Sequence, residues 1–489
     1  MPETAAATPD TRSPAPPPPS AARPGGVLAL MSACVVLAVS LVAAVNLALP
    51  KLAASSLHPG HTQLVWIVDA YVLVFACLLV PAGALGDRRG RKGALLAGLA
   101  VFAAGCVLAA LAPNVAVLIA ARALSGAGAA LIMPATLSLA VGAAEPGRRA
   151  HAVAIWTAAT GAAGIVGNLG GGLVLQYLPW QGLFWASAPL ALLLLALTAR
   201  LTPRMAPSPT AGPADPPGTA LLVLASLALL TGIIEGPEHG WSSPLVLGAF
   251  CGAAVLGALF LAHGLRSARP LFDPRVFRAR ALRAGTLGIT ATFFGLFALF
   301  YVNAQYLQYE KGYSPALAGL AIGPVAIGMI VVSRLSPALV RRRGRPLVVA
   351  AGLACVVAGL ALLSLLTSGT PYVWYAAILL LLSLGMGLAM PALSTAVLSA
   401  LPAERAGLGS GLNGAAREFG SALGVAAMGT TLAGRTDFTD GMSLGFRVTA
   451  AVVALLSVPT VWWLRARTGP APEDRSPARH PEKKELEQR

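Results

Sequence analysis

The sequence predicts an all-helical membrane protein of about fourteen spans, and three observations predict it. The chain of 489 residues is 56% hydrophobic and 11% charged, with a mean hydropathy of +0.74; no soluble domain needs so much apolar surface. Apolar runs long enough to cross a bilayer follow one another from residue 27 to residue 464. The arginines gather in every second connection between those runs, as the positive-inside rule requires.

A net charge of +16 suggests nucleic acid in a soluble chain. Here the cations sit in short connections and tails, with no basic face interleaved with aromatics, so the charge reads as attraction to anionic lipid headgroups and no nucleic-acid partner is expected. Cys34, Cys77, Cys106, Cys251 and Cys355 all fall inside apolar runs. They show no metal-ligand spacing and read as small core residues. No phosphate-binding loop, catalytic triad or cofactor motif is present, so neither an ATP motor, an enzyme, a metal nor a cofactor is expected.

In chain order, residues 1–26 are rich in Pro, Ala and Ser and read as a disordered tail. They lack the basic start of a signal peptide, so the first apolar run is expected to stay as a helix. Spans follow near 27–49, 64–86, 93–112, 115–138, 152–178 and 183–200, then 217–235 and 245–264. The last six lie near 284–308, 315–339, 347–366, 373–400, 409–433 and 445–464. Connections after the even-numbered spans carry Arg88, Arg89, Arg91, Lys92, Arg148, Arg149, Arg278, Arg280 and Arg341 to Arg343, among others; the alternate ones carry Lys51, Lys311 and Arg435. Both termini are therefore expected in the cytoplasm, and the span count is expected to be even.

The knot GALGDRRGRKG, Gly83 to Gly93, packs Asp87, Arg88, Arg89, Arg91 and Lys92 into six positions between two apolar runs. It reads as a sharp turn between two spans, with glycines permitting close approach. SPALVRRRGRP, Ser336 to Pro346, repeats it weakly without the acid. Asp69 and Asp87 lie five helical turns apart and share an azimuth, about 27 Å apart along the axis. Asp87 reads as a solvated loop acid or as part of a gate. Asp69, about two turns into its span, reads as an interfacial acid reaching water or as a site residue. Arg122 lies within an apolar run beside Ser125, Gly126 and Ala129; it faces the bundle interior or snorkels to the surface. Gly161, Gly164, Gly167, Gly171 and Gly172, with Asn168, make a small face for tight helix contact. In the thirteenth span Arg417 and Glu418 sit deep in an apolar run. Gly407, Gly411, Gly414 and Glu418 share one face; Asn413, Arg417, Gly420 and Gly424 share the next. The pair reads as a structural ion pair or as a proton or substrate site, with desolvation and Arg417 acting on Glu418 in opposite senses. Glu235, Glu238 and His239 read as loop residues.

These motifs carry a resemblance. G-x-L-x-D-R-x-G-R-K at Gly83, Leu85, Asp87, Arg88, Gly90, Arg91 and Lys92 resembles the signature loop of the major facilitator superfamily. R-x-x-x-G-x-G-x-A at Arg122, Gly126, Gly128 and Ala130 resembles its fourth-helix motif, linked there to proton coupling. The glycine face of the fifth span resembles its antiporter signature, with Asn168 where Pro is usual. Asn46, Ala48, Leu49 and Pro50, with WIVDAY (Trp66 to Tyr71), are similar to the fourteen-helix drug:proton antiporter branch, in which Leu41 replaces a usual Asp.

The resemblance covers about residues 27–465. It implies a major facilitator fold: a six-helix half at 27–200, a linker at 201–216 and two extra helices at 217–264. A basic cytoplasmic loop at 265–283, a second half at 284–464 and a tail at 465–489 follow. It implies that Asp87 is a lock meeting the start of the thirteenth helix, Glu404 to Gly411. It implies proton coupling through Arg122; Glu418, Asp69 and Arg417 are read as further coupling residues from their charge within apolar runs, and Asn46, Trp66, Tyr71 and Asn413 as contacts of a central substrate cavity. The expected function is proton-coupled export of an amphiphilic drug, antibiotic or natural product by a monomer in the plasma membrane, with small-molecule substrate, protons and lipid as partners. A transporter of a metabolite, siderophore or lipid, or a non-transporting receptor on the same scaffold, stays open. Glu418 is expected to lie deeper than Asp69 and to be the better proton carrier.

Overall fold

The computed structural model describes residues 24–145, 148–203, 215–267, 270, 273–401, 406–433 and 437–465. The expected tails, most of the 201–216 linker, and Glu404 and Arg405 fall outside them. The described residues are helical throughout, with no strand.

The first half comprises α1 (Pro24–Ala53), α2 (His61–Arg89), α3 (Arg91–Ala110), α4 (Val115–Ala143), α5 (Arg149–Tyr177) and α6 (Gln181–Leu201). The hairpin α7 (Pro216–His239) and α8 (Pro244–Arg266) follows. The second half comprises α9 (Arg280–Gln305), α10 (Pro315–Ala321), α11 (Gly323–Arg343), α12 (Arg345–Leu363), α13 (Tyr372–Ser399), α14 (Ala406–Leu432) and α15 (Phe438–Arg465). One expected span is thus broken at Ile322 into α10 and α11, just before Pro324. Proline lacks the amide that a continuous helix would need. Among the described residues, thirteen segments are long and apolar enough to cross a bilayer by length and composition alone. The fourteenth is α14, whose Gly, Ser, Asn, Arg and Glu dilute its apolarity.

Two turns repeat between the halves. Gly90 (φ 94°) joins α2 to α3, and Gly344 (φ 82°) joins α11 to α12. A positive φ strains any residue with a Cβ, so glycine makes both turns. Eight and fifteen positions beyond each turn stand further glycines. Gly98 packs on the Gly128 backbone and Gly105 on Ser125 of α4; Gly352 packs on the Gly385 backbone and Gly359 on Leu382 of α13. The same holds for the inner helices. Gly167 and Gly171 of α5 press on Ser40 and Ala44 of α1; Gly420 and Gly424 of α14 press on Thr290 and Phe294 of α9. Backbone-to-backbone approach at small residues is what holds helices together in lipid, where apolar burial gives no net drive.

Lysines close helix ends. Lys51 Nζ donates to the carbonyls of Leu175 and Leu178 at the end of α5. Lys92 Nζ donates to Ala199 (2.8 Å) and Thr202 (2.6 Å) at the end of α6. Each places a cation against orphan carbonyls at the negative end of a helix dipole. Asp437 caps the start of α15, accepting from the amide of Thr439 at 2.7 Å; that amide holds its carboxyl below the ordinary range.

Candidate functional site

The packing of α4 on α2 builds the first part of the site. Gly126 lies so close to the Tyr71 backbone that a Cβ would collide with it. That approach seats Arg122, fully buried, with its guanidinium 4.5 Å over the Tyr71 ring. Its Nε donates to the Ile67 carbonyl at 3.0 Å. Its two terminal nitrogens have no hydrogen-bond partner among the described residues. Of the two readings of Arg122, the interior one describes its place; it does not snorkel.

Asp69 departs from expectation. It does not reach surface water: it is fully buried, and neither carboxylate oxygen has a hydrogen-bond partner among the described residues. It stands two residues from Ile67, hence about 200° around the helix from the Arg122 contact. It therefore faces away from the arginine, within electrostatic reach of Tyr301 on α9. Depth counted along the helix missed this, because neighbouring helices, not distance from the helix end, exclude the water.

The second part of the site is α14, whose two polar faces pack on different helices. Gly411 and Gly414 meet Val80 and Leu79 of α2, while Gly420 and Gly424 meet α9. Arg417 turns to α9, its guanidinium 4.7 Å over the Phe293 ring. Glu418, half-buried, lies within electrostatic reach of Tyr71. Adjacent helix positions point about 100° apart, which separates the two charges. Asn413 is also half-buried on α14. Phe293 stacks on Phe297 (6.1 Å), which meets Phe300 (5.5 Å). This aromatic ladder beneath Arg417 was absent from the expected site; the spacing of FFGLFALF is its only trace in the sequence.

Three expected cavity residues are spent elsewhere. Tyr71 is fully buried and donates its hydroxyl to the Ala38 carbonyl at 2.7 Å, so it braces α1 rather than walling a cavity. Asn46 is buried and donates to the Val42 carbonyl, with Oδ1 unpartnered. Trp66 donates its indole N–H to Glu235 at 3.0 Å. Glu235 and His239 are not loop residues: they belong to the last turns of α7 and pair at 3.3 Å. Cys251 is exposed rather than in the core.

At the Gly90 turn, a Cβ on Gly83 would sit 3.6 Å from the Pro134 side chain, and one on Gly86 3.5 Å from Ala94. Arg88 and Arg91 are half-buried there. The Asp87 side chain lies outside the described residues. On α5, Asn168 finds its hydrogen-bond partner on its own helix, the Gly164 carbonyl at 2.8 Å. Gly172 meets Pro315 and Ala316, and Gly319 of α10 meets the Asn168 backbone; Gly161 belongs to α5, with its surroundings outside what is described. Gln308 Nε2 donates to the Leu47 carbonyl at 3.0 Å. The halves are therefore joined at the Lys51 end through α1, α5, α9 and α10. No comparable packing joins α4 to α13 toward the Gly90 end among the described residues.

Two six-helix halves built on one repeated scaffold, with ionisable side chains buried inside membrane-length helices, have the architecture of a membrane transporter. The sequence pattern of the Major Facilitator Superfamily matches residues 28–425, and the chain belongs to that family. It is 34% identical over 394 residues to the multidrug resistance protein Stp of Mycobacterium tuberculosis, covering 80% of this chain and 72% of the relative. It is 38% identical over 403 residues to the puromycin resistance protein pur8 of Streptomyces alboniger, covering 80% and 78%. The solved structure of the POT family transporter PepTSo shares the fold, with a TM-score of 0.68 at 14% identity over 90% of this chain and 98% of that one.

Proposed function

We propose that the protein is a proton-coupled exporter of an amphiphilic drug, antibiotic or natural product that works by alternating access, as a monomer in the plasma membrane. Both termini and the Gly90 turn face the cytoplasm in this reading. The observation that carries it is a pair of fully buried ionisable side chains with no counter-ion among the described residues, Asp69 toward α9 and Arg122 within the first half. An uncompensated buried charge costs about 3–5 kcal/mol, and the glycine-packed scaffold has no need of either. Charges kept at that cost in a membrane mark an ion or substrate path. The resistance proteins to which the chain is similar support drug or antibiotic as the substrate class, and export as the direction.

Glu418 and Asp69 divide the work. Glu418 is half-buried in the state joined at the Lys51 end, while Asp69 is sealed. A proton entering from the Gly90 side meets Glu418 first; Asp69 exchanges when the seam rearranges. Arg122 and Arg417 hold the compensating charge on either side. Phe297 and Asn413 are the candidate substrate contacts. Asp87 acts as the lock. The antiparallel contacts Val65–Gly429, Leu79–Gly414 and Val80–Gly411 support this reading: continued along both helices, they lead from residue 87 toward the first turn of α14, whose positive dipole end favours an anion.

Proton-driven uptake into inside-out reconstituted vesicles, with equilibrium binding measured in parallel, tests the proposal. Glu418→Gln and Asp69→Asn are each expected to abolish accumulation against a gradient while binding persists. Accumulation by either variant at the parent rate removes that acid from the coupling path. Impermeant thiol labelling of Gly90→Cys and Ser242→Cys tests the topology; labelling at position 90 from outside intact cells overturns it.

A further inference from the structure

The outer face of the second half carries a groove between α12 and α15 with a volume of about 620 Å³. That is the size of a small-molecule pocket, roughly 300–1,000 Å³. Its walls are Ala350, Ala354 and Val357 on α12 and Ser457, Trp462 and Arg465 on α15, among others. Only its ends differ in character. On α15 it runs from Ala454 to Arg465, eleven residues or about 16 Å. That is the depth of one leaflet, half of a hydrocarbon core of about 30 Å.

The charged end is built differently from its counterpart in the first half. There, Lys92 stands two positions after Gly90 and folds over the end of α6 onto Ala199 and Thr202. Two positions after Gly344 the residue is Pro346, which has no cation to give. The end of α15 therefore lacks that closure, and Arg465, which lines the groove, makes no hydrogen bond or ion pair among the described residues. Arg341, Arg342 and Arg343 lie at the same end, all exposed. Trp462, 64% exposed, stands one turn inside, the place of an amphipathic ring at the headgroup boundary.

We infer that the α12–α15 groove is a binding site for one anionic phospholipid. Its phosphate lies on Arg465, and an acyl chain runs along Ala354, Val357 and Ser457 toward Ala454. The Ser457 hydroxyl is spent on the Val453 carbonyl at 2.6 Å, so the wall presents only apolar surface to the chain. The charge selects an anionic lipid over a zwitterionic one; the length selects a single leaflet.

Native mass spectrometry of the full chain, released from detergent with equal phosphatidylglycerol and phosphatidylcholine, tests the site. The parent protein is expected to retain one phosphatidylglycerol in preference to phosphatidylcholine. Arg465→Gln should weaken that preference about fivefold, the value of one basic residue near a charged membrane surface. Arg200→Gln, at the matching end of α6, should change nothing. Ala354→Phe, which fills the groove, should lose both lipids at an unaltered melting temperature. Equal retention of the two lipids by the parent means ordinary boundary lipid and overturns the proposal. So does full preference in the Arg465→Gln variant, a result that holds even where Ala354→Phe fails to fold.

Discussion

The two halves share a scaffold and differ in their charges. Between α4 and α13 the correspondence is close: Gly128 and Gly385 hold the same packing place, as do Ser125 and Leu382, and Pro134 and Pro391 stand at the same remove. Six positions before that glycine the first half has Arg122 and the second has Leu379, both fully buried. Between α5 and α14 the correspondence holds again through Gly167 and Gly420, Gly171 and Gly424. Here the second half has Arg417 and Glu418 where the first has Gly164 and Ile165. A repeat related by an axis along the membrane normal explains the shared glycines. It does not explain charges present in one copy only. Those are additions to the shared pattern of small residues.

The largest effect is expected where one copy is made to match the other. Arg122→Leu gives the first half the residue of the second. A buried ion without a counter-ion carries a desolvation penalty on the order of several kcal/mol, which an apolar side chain in its place does not. The variant should therefore melt at or above the parent temperature and lose gradient-driven transport altogether. Loss of folding instead would show that Arg122 is structural. Leu379→Arg is the mirror experiment: it buries a second unpaired cation and should prevent folding.

A smaller effect tests the scaffold itself. A Cβ at Gly167 would collide with the Ser40 backbone, and one at Gly420 with the Thr290 backbone. Gly167→Ala and Gly420→Ala should each destabilise the protein by about 1–3 kcal/mol, the usual cost of overpacking. Gly164→Ala meets open space and should leave the melting temperature unchanged. Unequal costs at positions 167 and 420 would break the equivalence of α5 and α14.

Periodicity and charge asymmetry made the fold legible. Fourteen membrane-length helices follow the expected order because apolar run length and arginine placement depend on the bilayer, which acts on every span alike. The glycine pairs were visible as small faces, but their partners were not; which helix a face meets is set by tertiary packing. The site was legible in part. Arg122, Arg417 and Glu418 stood out because charge in an apolar run is costly wherever it points. Asp69 was misplaced because burial by α9 and α14 leaves no mark on the α2 sequence. Tyr71 and Trp66 were assigned to a cavity on motif alone, whereas their polar atoms are consumed by Ala38 and Glu235.

Glu235 leads to the smallest effect, on the one element that has no copy. The α7–α8 hairpin is stapled to itself by His263 and Asp215 at 2.8 Å. At its other end α7 touches both halves: Glu235 accepts from Trp66 of α2, and the Ile233 carbonyl accepts from Thr430 of α14 at 3.4 Å. It thus bridges the α2–α14 seam at the Lys51 end, where the halves are already joined. A partly buried hydrogen bond to a charged acceptor contributes about 1.5–3 kcal/mol. That contribution favours the state in which α2 and α14 are held together, and it is lost when the seam opens there. Trp66→Phe keeps the ring and removes the N–H. It should leave the fold intact, shift the resting population toward the state open at the Lys51 end, and raise thiol accessibility of a cysteine at Val65, which faces Gly429 across the seam. Glu235→Gln retains an acceptor and should shift it less. The same order in transport rate, with Trp66→Phe further from the parent than Glu235→Gln, identifies the bond as a brake on opening. Equal accessibility at position 65 in all three proteins would leave α7 as packing alone.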